Sequence, residues 1–232
     1  AAIAAAERAF PAWSKMLAKE RAKILRKWFD LQIEYADELA LLMTMEQGKP
    51  LSQAAEEIAR AGIQSEGIVQ ISIEPEVITD NAERHIELHY VPLGVVGIIT
   101  PWNAPINLAV GPLVSALYTG NTAVLKPSPY TPLCTLKLGE LIKDIFPAGV
   151  VNIVAGGDEL GQWMTEHAGI DKISFTGSVA TGKKVMASAA GTLKRVTLEL
   201  GGNDAAIVLD DVDVEDIAPK LFFAAFVNSG QV

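Results

Sequence analysis

The spacing of apolar residues changes twice along the chain. From residue 1 to 66 it is helical. "AAIAAAERAFPAWSKML" is rich in Ala, the strongest helix former. In "KERAKILRKWFDLQIEYADELALLMTMEQ" the residues Ile24, Leu25, Trp28, Leu31, Tyr35, Leu39 and Leu42 recur at steps of three and four. That spacing sets one apolar stripe against a core. Gly48 and Pro50 interrupt it, and "LSQAAEEIARAG" begins a further helix with Ser52 as its expected N-cap. From residue 70 to 91 the period becomes two. "QISIEPEVITDNAERHIELHYVP" alternates apolar and polar residues around an Asp80-Asn81 turn signal, which predicts a β-hairpin, exposed and in need of a partner.

From residue 92 short apolar runs alternate with helical stretches. "GVVGIIT", "NTAVLKPS", "GVVNIVAG", "DKISFTG" and "LKRVTLELGG" read as strands, and "DAAIVLD" as one more. Between them "APINLAVGPLVSALYTG", "TPLCTLKLGELIKDIF", "DELGQWMTEHAG" and "VATGKKVMASAAG" read as helices, as does most of "VDVEDIAPKLFFAAFVNSG". Alternation with short connections implies an α/β fold. Right-handed crossovers make it a doubly wound parallel sheet with helices on both faces. The expected organisation is a helical part over 1–75, a protruding hairpin over 76–91 and the parallel-sheet domain over 92–232.

Composition narrows the function classes. A chain of 232 residues buries roughly 70% of its unfolded surface. The formal net charge of −9 argues against a nucleic-acid partner, since phosphate neutralisation needs clustered Lys and Arg. No apolar run approaches the ~20 residues that span a bilayer, and no basic start followed by an apolar stretch marks a signal peptide. The single cysteine, Cys134, precludes an internal disulfide and fits a reducing, cytoplasmic setting. His85 and His89 share one strand face, but no third ligand pattern accompanies them. They read as structural or solvated residues, and no metal site is expected.

In doubly wound sheets ligands bind beyond the carboxyl ends of the strands. The breaks "ITPWNAP", "LKPSP", "FTGSVATG" and "LELGG" all fall on that edge. Gly177 and Gly182 bracket a strand-to-helix turn. Glycine there lets backbone approach a phosphate, although a plain turn has the same spacing. Lys126 at a strand end is either a donor to ribose or phosphate or a solvated strand terminus. Asn103 either donates to a developing oxyanion or caps its turn. Glu199 lies between Leu198 and Leu200. It is either a partly desolvated carboxylate, raised in pKa towards a general base, or an edge residue in water.

The motifs "PWNAP", "LKPSPYTP", "FTGSVATG", "LELGG" and "FVNSGQ", in this order and spacing, resemble those of the NAD(P)-dependent aldehyde dehydrogenases. "ERAKILRKWFDL" and "LMTMEQGKPL" are similar to the helical lead-in of the succinate-semialdehyde branch. The resemblance covers nearly the whole chain. It implies a Rossmann-like domain for NAD or NADP, an aldehyde substrate and a homo-oligomer joined through the hairpin. It points to Asn103 for the oxyanion hole and to Glu199 for the base that activates water. It points to Thr100, Pro101, Trp102, Lys126, Ser128, Gly177, Ser178, Leu200 and Gly201 for cofactor contacts. Three positions depart from the family pattern. Ala104 replaces a usual Phe, Asn203 replaces a frequent Lys, and Pro129 stands where a Glu commonly holds the ribose 2′-hydroxyl, so NADP use stays open.

In the family the run N-x-G-Q-x is followed at once by the nucleophilic cysteine. The sequence stops at Val232, one position short. The expectation is therefore a chain without its nucleophile, its catalytic domain or the late strand of the oligomerisation hairpin, and inactive alone. The rival expectation is a non-catalytic cofactor-binding or assembly fragment. A short-chain dehydrogenase would need Lys four residues after a Tyr, and none of Tyr35, Tyr90, Tyr118 and Tyr130 has one. A serine hydrolase would need a Gly-x-Ser-x-Gly elbow, which is absent from the sequence.

Overall fold

A computed structural model describes residues 1–231. The helical lead-in consists of α1 (Ala2–Lys15), α2 (Ala18–Glu34), α3 (Ala36–Gln47) and α4 (Leu51–Val69). The long periodic stretch is thus two helices, because Tyr35, at φ −100° and ψ 16°, ends α2 before α3 begins. Pro50, at φ −54°, turns the chain straight into α4, which leaves Ser52 inside the first turn. The expected Ser52 cap is therefore not formed. Trp13, Trp28 and Phe146 meet edge to face, with ring centroids 6.0 and 5.9 Å apart, and the Trp13 indole donates to the Leu117 carbonyl. Such edge contacts add about 0.5–1.5 kcal/mol each beyond burial.

The hairpin consists of β1 (Glu76–Asp80) and β2 (His85–Leu88), paired antiparallel as a separate two-stranded sheet. Its turn is closed by Asn81, whose side-chain oxygen accepts the backbone N–H groups of Glu83 and Arg84. Val77, Ile78, Ile86 and Leu88 are all exposed. His85 sits between Asp80 and Glu87, and His89 pairs with Glu87. The two imidazoles hold the Glu87 carboxyl below its usual pKa.

The chain then runs β3 (Val95–Ile99), α5 (Asn107–Tyr118), β4 (Thr122–Lys126), α6 (Leu133–Ile142), β5 (Val151–Ile153), α7 (Asp158–Glu166), β6 (Lys172–Gly177), α8 (Val179–Ala190) and β7 (Arg195–Leu200). All strand pairs are parallel, in the order β5-β4-β3-β6-β7. The chain steps outward from β3 through β4 to β5, then returns to the other side of β3 for β6 and β7. The strand order therefore reverses between β3 and β6, and a crevice opens there at the carboxyl ends.

Every residue of β3 and β4 is buried. Val96, Ile98, Ala123 and Leu125 enter the core shared with α1 to α6, while Val95, Ile99 and Val124 enter a second core with Met164 of α7 and Val185 of α8. These strands are covered on both faces, which is why they read as unbroken apolar runs. The β6–β7 half differs from the expectation of helices on both faces. Ile173 and Phe175 are buried against α7 and α8, whereas Lys172, Ser174, Thr176, Thr197 and Glu199 line an open cleft.

"DAAIVLD" is not a strand. Ile207, Val208 and Leu209 are exposed, and no described strand lies beside them beyond β7, so their backbone has nothing to pair with. The next helix, α9 (Val214–Phe226), forms with Asp213 as N-cap, accepting from Glu215 and Asp216, but buries none of its residues. Among the described residues none after Lys194 is buried.

Candidate functional site

The segment after β3 forms the first wall of the crevice. Thr100 donates its backbone N–H to the Lys126 carbonyl, which fixes the exit of β3 against that of β4. Residues 101–106 then turn into α5. The Asn103 carbonyl accepts the Lys49 ammonium at 2.9 Å and the Asn228 amide at 2.9 Å. The Asn103 Nδ2 donates to the Gln231 carbonyl at 2.8 Å, and its second hydrogen has no partner among the described residues. Asn228, Ser229 and Gly230 take φ values of 53°, 59° and 73°, so three successive left-handed residues bend the segment back onto Asn103. For the two non-glycines this costs energy, of the kind that clusters at functional sites.

The opposite wall is the β6–α8 turn. Gly177 closes β6, and a Cβ there would stand 2.7 Å from the tip of the Phe175 ring. Only glycine fits without moving that ring. Ser178 is the N-cap of α8, its hydroxyl oxygen accepting the Thr181 N–H at 3.2 Å. Among the described residues no side chain accepts the Val179 and Ala180 amides of that turn, and the positive end of the helix dipole favours an anion there.

Lys126 ends β4 and is 4% exposed. The reading of a solvated strand end is therefore wrong. Neighbouring apolar groups bury the ammonium, which lowers its pKa, while Asp158 pulls the other way. Its one hydrogen bond is to the Pro127 carbonyl at 3.3 Å, so two of its three hydrogens are unused among the described residues. The Thr100 hydroxyl is buried and also lacks a partner among them. Ser128 is buried, and its oxygens accept from Tyr130 and Thr131 to shape the following turn.

One cleft of about 740 Å³ gathers Pro101, Trp102, Asn103, Gly177, Ser178, Glu199, Leu200 and Gly201. A second, of about 600 Å³, runs along the uncovered β6–β7 face and shares Asn107, Leu108, Thr176 and Glu199 with the first. Thr100, Lys126 and Ser128 lie buried beside β3 on its β4 side and do not line the larger cleft. Eight of the expected rim residues thus meet in one space and three do not line it.

Of the two readings of Glu199, its exposure at the strand end agrees with the edge residue in water. Its neighbour across the sheet is Thr176, and no element covers that face, so the carboxylate is exposed in the described structure. Cys134 is fully buried in α6, away from both clefts, and burial pushes its thiol far up in pKa. It is unsuited to act as a nucleophile.

Two residues escaped the reading of the sequence. Lys49 and Glu57 form an ion pair whose side chains are 5% and 7% exposed. A signal was present: Glu57 falls on the buried stripe of α4 with Ala54, Ile58, Ala61 and Ser65. A carboxylate on such a stripe needs a partner. Glu46 acts similarly, accepting the Leu133 and Cys134 N–H groups at the start of α6.

The fold is that of an α/β protein with a crevice where the order of its parallel sheet reverses. The chain belongs to the aldehyde dehydrogenase family, whose pattern it matches over residues 1–232. It is 42% identical over 231 residues to the aldehyde dehydrogenase LUC3 of a Fusarium species, covering 100% of this chain and 49% of that protein. It is 43% identical over 236 residues to the succinate-semialdehyde dehydrogenase [NADP(+)] GabD of Escherichia coli K12, covering 100% and 49%. The structure of an aldehyde dehydrogenase from Bacillus cereus in complex with NAD+ superposes with a TM-score of 0.95 at 38% identity, again over 100% of this chain and 49% of that one. The chain thus spans about half the length of the relatives it matches.

Proposed function

We propose that this chain forms the NAD(P)-binding half of an enzyme that oxidises an aldehyde to a carboxylic acid. The observation that carries the reading is the meeting of Asn103, Gly177 and Glu199 in one cleft at the reversal point of the sheet. The residues fit a dinucleotide. Among the described residues Lys126 has unused donors, the buried Thr100 hydroxyl has no partner, and no side chain but Ser178 caps α8. Lys126 would donate to ribose hydroxyls, and the turn at Gly177 and Ser178 would take the pyrophosphate. Leu200 and Gly201 would border the nicotinamide. When bound, the cofactor accepts a hydride. Members named for NADP+ and for NAD+ are both similar to this chain, and Pro129 supplies no carboxylate to reject a 2′-phosphate.

The substrate carbonyl would lie between Asn103 and Glu199. The second Asn103 N–H would donate to the oxygen as negative charge develops. By its resemblance to the family, the nucleophile would be a cysteine beyond the turn at 228–231, and the Asn103 contact to Gln231 supports this by holding that turn beside the oxyanion donor. Glu199 would take a proton from the water that releases the acid, and its exposed position gives water access. The hairpin, with its exposed apolar residues, would join copies of the protein.

The test is calorimetric titration of the full-length protein with NAD+ and NADP+, followed by an assay of aldehyde-dependent reduction of whichever binds. Binding and turnover are expected. A folded full-length protein that binds neither dinucleotide would overturn the reading.

A further inference from the structure

The Lys49–Glu57 pair takes no direct part in the chemistry above, yet it touches the backbone that carries Asn103. Gly48 ends α3 at φ 78°, and Pro50 opens α4, so Lys49 is held in a joint between two helices. Its ammonium meets one Glu57 oxygen, Oε2, and the Asn103 carbonyl. The other Glu57 oxygen, Oε1, accepts the N–H groups of Ile106 at 3.0 Å and Asn107 at 3.1 Å. Those are orphan donors at the start of α5, and the local N-cap, Ile106, has no side chain able to satisfy them. One ion pair therefore grips both ends of the turn from 103 to 107.

The burial gives the grip its meaning. Removing two charges from water costs several kcal/mol per ion, and replacing such pairs with apolar residues is often neutral for stability. Stability alone is a poor reason for the pair. What it holds is the Asn103 carbonyl and the amides of Ile106 and Asn107, the backbone from which the Asn103 side chain projects. An oxyanion donor acts only when held near 2.7–3.1 Å from where charge develops. A shift of about 1 Å from a distant change lowers rates by about a hundredfold.

We infer that Lys49 and Glu57 are positioning residues for Asn103, setting the oxyanion donor from both ends of its turn. The inference rests on the role proposed for Asn103 above. Glu57→Gln keeps an acceptor for Ile106 and Asn107 but removes the charge that holds Lys49. Lys49→Arg keeps the charge and changes the reach to the Asn103 carbonyl.

The experiment measures kcat, KM and NAD(P)+ affinity in the full-length enzyme for Glu57→Gln, Lys49→Arg, Asn103→Ala and the double variant Asn103→Ala/Glu57→Gln. Circular dichroism and melting set the folded fraction. Glu57→Gln is expected to lower kcat per folded molecule by about tenfold to a hundredfold, with cofactor affinity within about twofold of the parent. In the Asn103→Ala background Glu57→Gln is expected to leave kcat unchanged, because the group it positions is gone. Lys49→Arg should retain more activity than Glu57→Gln. A merely structural pair predicts something else: lower melting temperature, unchanged kcat per folded molecule, and additive effects with Asn103→Ala. That result would overturn the inference. If Glu57→Gln does not fold, Lys49→Arg and its combination with Asn103→Ala decide the matter by the same comparison. Full activity in Asn103→Ala would instead sink the oxyanion role itself.

Discussion

Burial lowers the pKa of Lys126 despite the opposing pull of Asp158, and the direction of that shift has a consequence for binding. The charged ammonium is the form that attracts a dinucleotide. Its contribution is lost as pH rises through the lowered pKa, earlier than for an ordinary lysine. The affinity for NAD(P)+ is therefore expected to weaken on the alkaline side below the usual lysine range. Lys126→Met should abolish that alkaline limb and weaken binding at neutral pH by roughly tenfold to a hundredfold, the worth of a charge-assisted hydrogen bond. Calorimetric titration across pH, parent against variant, checks both. The lysine was legible as a candidate because it ends an apolar strand, but its burial was not. That depends on Asp158, Gly161 and the β3 exit closing over it, none of which is near in sequence.

At the scale of elements, most of the fold followed from period and punctuation. Each strand–helix pair from β3 to β7 was marked by a short apolar run, a Gly or Pro break and a three-to-four repeat. The rim motifs then sat at the strand ends because parallel strands place every carboxyl end on one edge. What failed was the element whose form depends on a neighbour. "DAAIVLD" has strand composition, yet it has no edge to pair with among the described residues. Ser52 failed for a local reason, since Pro50 starts α4 too early for it to cap. Ser178 is the contrasting case: it is the one residue of its turn that caps α8. Ser178→Ala is expected to cost about 1 kcal/mol, lowering the melting temperature by roughly 2–4 °C. Differential scanning calorimetry measures this. Ser178→Asp should restore the stability, since aspartate also caps, but weaken NAD(P)+ binding by placing a negative charge at the proposed pyrophosphate site.

For the molecule as a whole, burial is divided unevenly. The buried residues of the two cores lie within 6–185, while none of the described residues from 195 to 231 is fully buried, Val196 and Leu198 packing only partly against the second core. Phe222 and Phe226 stack on each other at 4.9 Å, both more than half exposed, and Phe223 is equally open. These rings leave contiguous apolar surface in water. Residues 1–232 expressed alone are expected to bind an apolar fluorescent dye. Phe222→Ser with Phe226→Ser should reduce that signal severalfold while leaving the melting temperature within about 2 °C, because neither ring packs on a core. A large drop in melting temperature would mean that these rings support the fold. The uneven division was hidden in the sequence, where "LFFAAF" reads like any core helix.

The most direct measurement is a crystal structure of the full-length protein grown with NAD+ or NADP+. The account predicts the pyrophosphate within hydrogen-bonding distance of the first amides of α8, beside Ser178, with a ribose hydroxyl on the Lys126 ammonium. It also predicts the nicotinamide against Leu200 and Gly201. A dinucleotide bound elsewhere, with the crevice between β3 and β6 left to solvent, would contradict it.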